Sequence, residues 1–126
     1  MKFKKEGGLQ TKGYIKDSIH TKPLITIVTV VYNGQEYLEE TILSVVNQTY
    51  SNIEFIIIDG GSTDNTIDII RKYEHAIDYW ISEKDEGIYD AMNKASELAK
   101  GKWINYMNCG DSFCNNEIME KRYVSI

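Results

Sequence analysis

Four short runs of apolar, largely β-branched residues punctuate the chain, and each of the first three is followed by apolar positions at helical spacing. Leu24 to Tyr32 (LITIVTVVY) is apolar on both faces, the pattern of a strand covered on two sides in a parallel sheet. Asn33-Gly34 breaks it, with Asn33 expected as a helix N-cap and Glu36 completing a variant of the capping box. Leu38, Ile42, Val45 and Val46 then predict a first helix to about Gln48. Ile53 to Ile58 (IEFIII) repeats the buried-strand pattern and ends in Asp59-Gly60-Gly61-Ser62. A second helix is expected from about Asp64, with Ile67, Ile70 and Tyr73 on one face.

Ile77 to Ser82 is a third, weaker strand. Ile88, Ala91, Met92, Ala95, Leu98 and Ala99 form the cleanest helical stripe, and Gly101 falls where a C′ glycine is expected. Trp103 to Met107 closes the series as a fourth strand, followed by Asn108-Cys109-Gly110-Asp111. Strand and helix alternate throughout, which predicts right-handed crossovers and a mainly parallel, Rossmann-like sheet in a three-layer α/β/α sandwich. Residues 1–22 are polar, lysine-rich and without sustained periodicity, and are expected to be a flexible arm closed by Pro23.

In open α/β sheets ligands bind beyond the carboxyl ends of the strands. Here those ends carry Asn33-Gly34, Asp59-Gly60-Gly61, Asp85-Glu86-Gly87 and Gly110-Asp111, so acids beside glycines are expected along one edge. A carboxylate at Asp59 can accept from a ribose hydroxyl or a base N–H while the glycines admit close backbone approach; the competing role is a turn cap. Asp111 is the best metal candidate, since carboxylate oxygen suits a hard cation bridging to phosphates, although turn formation explains it equally well. Asp85 and Glu86 are placed either in the site or as caps of the following helix. Asn93 and Lys94 lie toward the polar side of that helix, with Lys94 expected to be solvated.

Composition narrows the partners. The chain has 126 residues, one domain's worth, with 42% hydrophobic and 26% charged positions. Net charge is −5 and the pI about 5.0, which argues against a nucleic-acid groove or a polybasic membrane patch. An anionic ligand then needs a local cation or backbone N–H donors. Cys109 and Cys114 match neither a redox pair nor a zinc knuckle and read as reduced thiols, and His20 and His75 as surface residues. No apolar stretch approaches the roughly 18 residues of a membrane span, and no signal-peptide pattern follows Met1. A cytoplasmic location is expected, at most at the inner face of the membrane. Ser62 lacks a nucleophile elbow, and no phosphate-cradling P-loop or dinucleotide fingerprint occurs.

Five segments in series carry a specific resemblance: PLITIVTVVYN (23–33), NQTY (47–50), NIEFIIIDGGSTDNT (52–66), DEGIYDAMNK (85–94) and AKGKWINYMNCGD (99–111). Together they resemble the family-two glycosyltransferases over about Pro23 to Phe113. The resemblance implies a GT-A fold and inverting transfer from a nucleoside-diphosphate sugar, UDP- or GDP-linked, to a saccharide or lipid-linked acceptor in cell-surface polysaccharide synthesis. It implies Mg²⁺ or Mn²⁺ as cofactor. Val30, Tyr32, Asn33, Asp59, Asp85 and Asn93 would bind the donor, and Asp111 would hold the metal. Asn108 and Gly110 stand where the family often has further acids, so Asp111 is the single carboxylate of that motif.

The resemblance divides the chain into the arm 1–22, a donor-binding GT-A half domain 23–114 and a C-terminal tail 115–126, with the acceptor half absent. The general base belongs to that acceptor half, and no residue here is assigned to it. A truncated, catalytically incomplete nucleotide-sugar-binding module is the alternative expectation. Apolar surface at the unfinished sheet predicts self-association. A nucleotidyltransferase would carry a basic loop after the first strand, and VYNGQEY has no basic residue.

Overall fold

A computed structural model describes residues 5–19, 21–84 and 88–110. In chain order the elements are β1 (Lys5–Gly7), β2 (Ile25–Val31), α1 (Leu38–Val46), β3 (Ile53–Asp59), α2 (Thr66–Lys72), β4 (Tyr79–Ser82), α3 (Ile88–Leu98) and β5 (Trp103–Tyr106). Single 3₁₀ turns lie at Leu9–Lys12 and Glu74–Ala76. Among the described residues the sheet has five strands in the order β1-β4-β3-β2-β5. Every pairing is parallel except β1 with β4, so the mainly parallel sheet expected from the alternation is present.

Helices cover both faces. One core gathers Ile25, Ile27 and Val31 of β2 and Phe55 and Ile57 of β3 under Leu38, Ile42 and Val45 of α1 and Ile70 of α2. The other packs Val28, Ile56, Ile58 and Ile81 against Ala91 and Ala95 of α3. Alternating side chains of the same two strands feed the two cores, which is why LITIVTVVY and IEFIII show no polar face. The small alanines let α3 lie close to the sheet.

Topology sets the position of any ligand. From β2 the chain adds β3 and then β4 on one side; α3 then carries it back across β3 and β2 to place β5 on the other side. The reversal point is the crevice at the carboxyl ends of β2 and β5, where ligands bind in folds of this class. Val31, Asp59 and Ser82 stand level in the ladder, so β2, β3 and β4 end on one line.

The arm is not free. Lys5–Gly7 pairs antiparallel with Trp80–Ser82, and the following turn docks through Leu9 N–H to Ile77 O at 3.0 Å and Gln10 N–H to Asp78 O at 2.8 Å. Gln10 donates to the buried Glu54 carboxylate at 2.6 Å, and the Lys16 ammonium lies 3.1 Å from buried Asp78. These are main-chain pairings and single long-range polar contacts, which need no hydrophobic period. Gly101 also differs from expectation. It does not adopt the left-handed conformation of a C′ residue. Its N–H donates to Thr26 Oγ1 at 2.9 Å, and a Cβ there would lie 2.6 Å from Thr26 N. The glycine allows the α3–β5 connection to press against β2.

Candidate functional site

At the carboxyl edge of the sheet the described parts of the four post-strand segments lock onto one another. Asn33, expected as a helix cap, does something else. It sits at φ 48°, a left-handed conformation that Asn tolerates, and α1 begins only at Leu38. Its Oδ1 accepts from Thr63 N–H at 2.8 Å and Asp64 N–H at 3.4 Å, while its own N–H donates to Ser62 Oγ at 2.7 Å. Gly34 N–H donates to Thr66 Oγ1 at 2.9 Å, and Gln35 Oε1 accepts from Asn65 N–H at 3.0 Å. The loop after β2 and the loop after β3 therefore form one bonded unit.

Asp59 organises that unit from beneath. Its side chain is fully buried, and Oδ2 accepts from Gly61 N–H at 3.1 Å, Ser62 N–H at 2.9 Å and Ser82 Oγ at 2.7 Å. Oδ1 accepts from Ser62 Oγ at 2.5 Å. A buried carboxylate is tolerated when its lone pairs are filled in this way. The carboxylate faces into the loop and has no solvent-exposed surface, so what it presents to the crevice is the Gly60–Ser62 backbone that it shapes. Gly61 takes φ 88°, and a Cβ there would lie 3.3 Å from Lys84 N and Cα, so the end of β4 packs onto the same loop.

The segment after β5 closes the group from the far side. Gly110 N–H donates to Thr41 Oγ1 at 3.0 Å, and Gly110 itself has φ 101°. Cys109 is half-buried against the β2–α1 loop, where a Cβ on Gly34 would lie 2.6 Å from its Sγ. Only glycine fits between Cys109 and Val31.

Tyr32, next to Asn33, is 63% exposed, and Tyr37 at the foot of α1 is 57% exposed, so two accessible aromatic residues flank the loop between β2 and α1. Val30 is half-buried in the α3-side core, one residue before the end of β2. Asn93 is exposed on α3 and makes no hydrogen bond to these segments among the described residues. Lys94, expected to be solvated, instead bridges Glu83 at 3.0 Å and Asp90 at 3.5 Å. Asp85 and Asp111 lie outside the described residues. So do Glu86, His20 and Cys114. Among the described residues no group of three or more His, Cys, Asp or Glu could hold a metal ion.

Asp64 helps set the second loop. Partial burial opposes its charge, yet the Thr66 hydroxyl and N–H and the Gln35 N–H together hold its carboxyl below the ordinary aspartate range. The sequence pattern missed Ser62, Ser82, Thr41 and Thr66 as positioning groups. Their only signal is that each is a hydroxyl placed at a strand end or helix start.

The profile of glycosyl transferase family 2 matches residues 26–121, a span that runs through all of these segments. The chain belongs to glycosyl transferase family 2. An uncharacterized glycosyltransferase of Haemophilus influenzae is 39% identical over 103 residues, covering 79% of this chain and 41% of that protein. TuaG of Bacillus subtilis, a glycosyltransferase named for teichuronic acid biosynthesis, is 35% identical over 100 residues, covering 77% and 40%. This family-2 chain thus spans about two-fifths of the length of those relatives.

Solved structures share its GT-A fold. Staphylococcus aureus TarS 1–349 in complex with UDP-GlcNAc superimposes with a TM-score of 0.70 at 23% identity, over 78% of this chain and 29% of that one. The mannosyltransferase PcManGT of Pyrobaculum calidifontis, in complex with GDP-Man and Mn²⁺, gives 0.70 at 20% identity, over 85% and 34%.

Proposed function

We propose that this chain carries the donor-binding half of a sugar transferase of cell-surface polysaccharide synthesis, and that the crevice between the ends of β2 and β5 holds a nucleoside-diphosphate sugar. The observation that carries this reading is the mutual locking of the loops after β2, β3, β4 and β5 at the switch point of the sheet, through Asn33, Asp59, Gly61 and Gly34. Relatives and neighbours support it: TarS is solved with UDP and with UDP-GlcNAc, PcManGT with GDP-Man, and TuaG is named for teichuronic acid biosynthesis.

In this proposal the nucleoside lies against Tyr32 and the Asn33 turn, and the Gly60–Ser62 backbone, whose N–H groups are taken up by Val31 O and Asp59, supplies C=O acceptors at close range. Asp59 acts by holding that backbone in place. Val30 supports the floor of the pocket, and Asp85 and Asn93 complete the donor side. Mg²⁺ or Mn²⁺, held at Asp111 one residue beyond the anchored Gly110, would neutralise charge on the departing diphosphate. An acceptor hydroxyl, saccharide or lipid-linked, attacks the anomeric carbon opposite that leaving group and inverts it. The base that takes the hydroxyl proton is supplied from outside these residues. Taken alone the chain then binds donor without completing transfer, in line with its covering two-fifths of its relatives.

Isothermal titration with UDP, GDP and their sugars, with and without Mn²⁺, tests the reading. Saturable one-to-one binding of one nucleotide series is expected; no binding of any donor contradicts it.

A further inference from the structure

The crevice as described is short of positive charge. The chain is acidic overall, with 14 Lys and Arg against 19 Asp and Glu. Across the described segments 31–37, 59–66, 82–84 and 107–110 the acids are Glu36, Asp59, Asp64 and Glu83, and Lys84 is the one basic residue. The nearby ammonium of Lys94 on α3 is engaged by Glu83 and Asp90. Lys84 is exposed, and among the described residues it makes no ion pair or hydrogen bond.

Its root is held firmly. Glu83 N–H donates to Asp59 O at 3.1 Å, extending the β3–β4 ladder to its last rung. The Lys84 backbone then packs directly on Gly61, at the tip of the loop that Asp59 shapes. A flexible four-carbon stem leaves this backbone beside the loop that follows β3, carrying a compact charge with three donors. No other described strand-end segment offers a cation.

The geometry points to Lys84 as a phosphate-contacting residue that favours a nucleoside diphosphate over the bare nucleoside. This inference rests on the donor-site reading and adds to it the group that offsets the ligand's charge. It does so by direct charge-assisted hydrogen bonds, independently of any metal ion.

The test compares the 126-residue chain with its Lys84→Ala and Lys84→Arg variants by titration with uridine, UDP, guanosine and GDP, in EDTA and at two salt concentrations. Nucleoside affinity is expected to stay unchanged in all three proteins. Lys84→Ala should weaken diphosphate binding about tenfold and flatten its salt dependence, and Lys84→Arg should restore most of both. Equal diphosphate binding by wild type and Lys84→Ala overturns this inference and leaves the donor-site reading standing. Failure of the wild type to bind either diphosphate overturns the donor-site reading and this inference with it. Circular dichroism of the exposed Lys84→Ala variant confirms that a loss is not one of fold.

Discussion

The Ser82 hydroxyl donates to Asp59 Oδ2 at 2.7 Å, tying the last residue of β4 to the last residue of β3 across the ladder. That oxygen also receives the Gly61 and Ser62 N–H groups, so a strand junction and a loop conformation hang on one buried acid. Replacing Asp59 by Asn keeps the shape but turns one acceptor into a donor that faces other donors. Asp59→Asn should destabilise the fold by about 2–3 kcal/mol, and Ser82→Ala by about 1 kcal/mol, in urea denaturation. Donor affinity should fall further in Asp59→Asn than in Ser82→Ala, because only the former releases the Gly60–Ser62 backbone.

Gly34 makes a second, steric prediction. With Cys109 Sγ and Val31 Cγ2 each 2.6 Å from the position of an added Cβ, Gly34→Ala forces the loops after β2 and β5 apart. A cost of about 1–3 kcal/mol is expected, with weaker donor binding. Adding Cys109→Ala should recover part of the loss, since one of the two obstructions is removed. Full additivity of the two substitutions in thermal melts would show that the loops are not in contact.

Two aspartates are shifted in opposite directions from the ordinary carboxylate range. Burial pushes the Asp78 carboxyl up, against the Phe55 N–H and the Lys16 ammonium that pull it down. Its folded pKa lies above its unfolded value, so its contribution to stability is present below the ordinary carboxylate range and is lost as pH rises through the raised value. Asp64 is held below the ordinary range, so its contribution is present above that range and disappears only as pH falls through the lowered value. Carboxyl-detected NMR on acidification should show Asp78 taking up its proton first and Asp64 after it. The reverse order would contradict the hydrogen bonding described around both.

Much of this was legible in the residues, and the gaps have physical causes. LITIVTVVY and IEFIII declare strands buried on both faces, because a covered parallel sheet leaves no polar side to alternate. The stripe Ala91, Ala95, Leu98 declares α3 in the same way. Lys5–Gly7 carries no such pattern, since a three-residue edge strand is held by main-chain pairing. Asn33 looked like a local cap because Glu36 follows at the right spacing. Its partners lie about 30 residues further on, in the loop at Thr63 and Asp64, and local spacing does not encode them. Asp59 is legible as an acid closing a strand, but its burial beneath the loop is a tertiary fact.

At the far edge of the sheet β5 pairs only with β2 among the described strands, and Trp103, Ile104 and Tyr106 are each more than a third exposed. We propose that copies of this chain associate along that edge. Sedimentation equilibrium should then show mass above the monomer at high concentration, and Ile104→Lys should return the chain toward monomer. A clean monomer at every concentration would contradict this.

In the proposed function four separate strand ends make one donor pocket. Amide NMR of the labelled chain, titrated with UDP and with GDP in the presence of Mg²⁺, tests it most directly. One nucleotide is expected to shift Asn33, Gly34, Gly60 to Ser62, Lys84 and Gly110 together, with a single dissociation constant. Shifts confined to the opposite edge around Lys16 and Asp78, or different constants for the different loops, would contradict it.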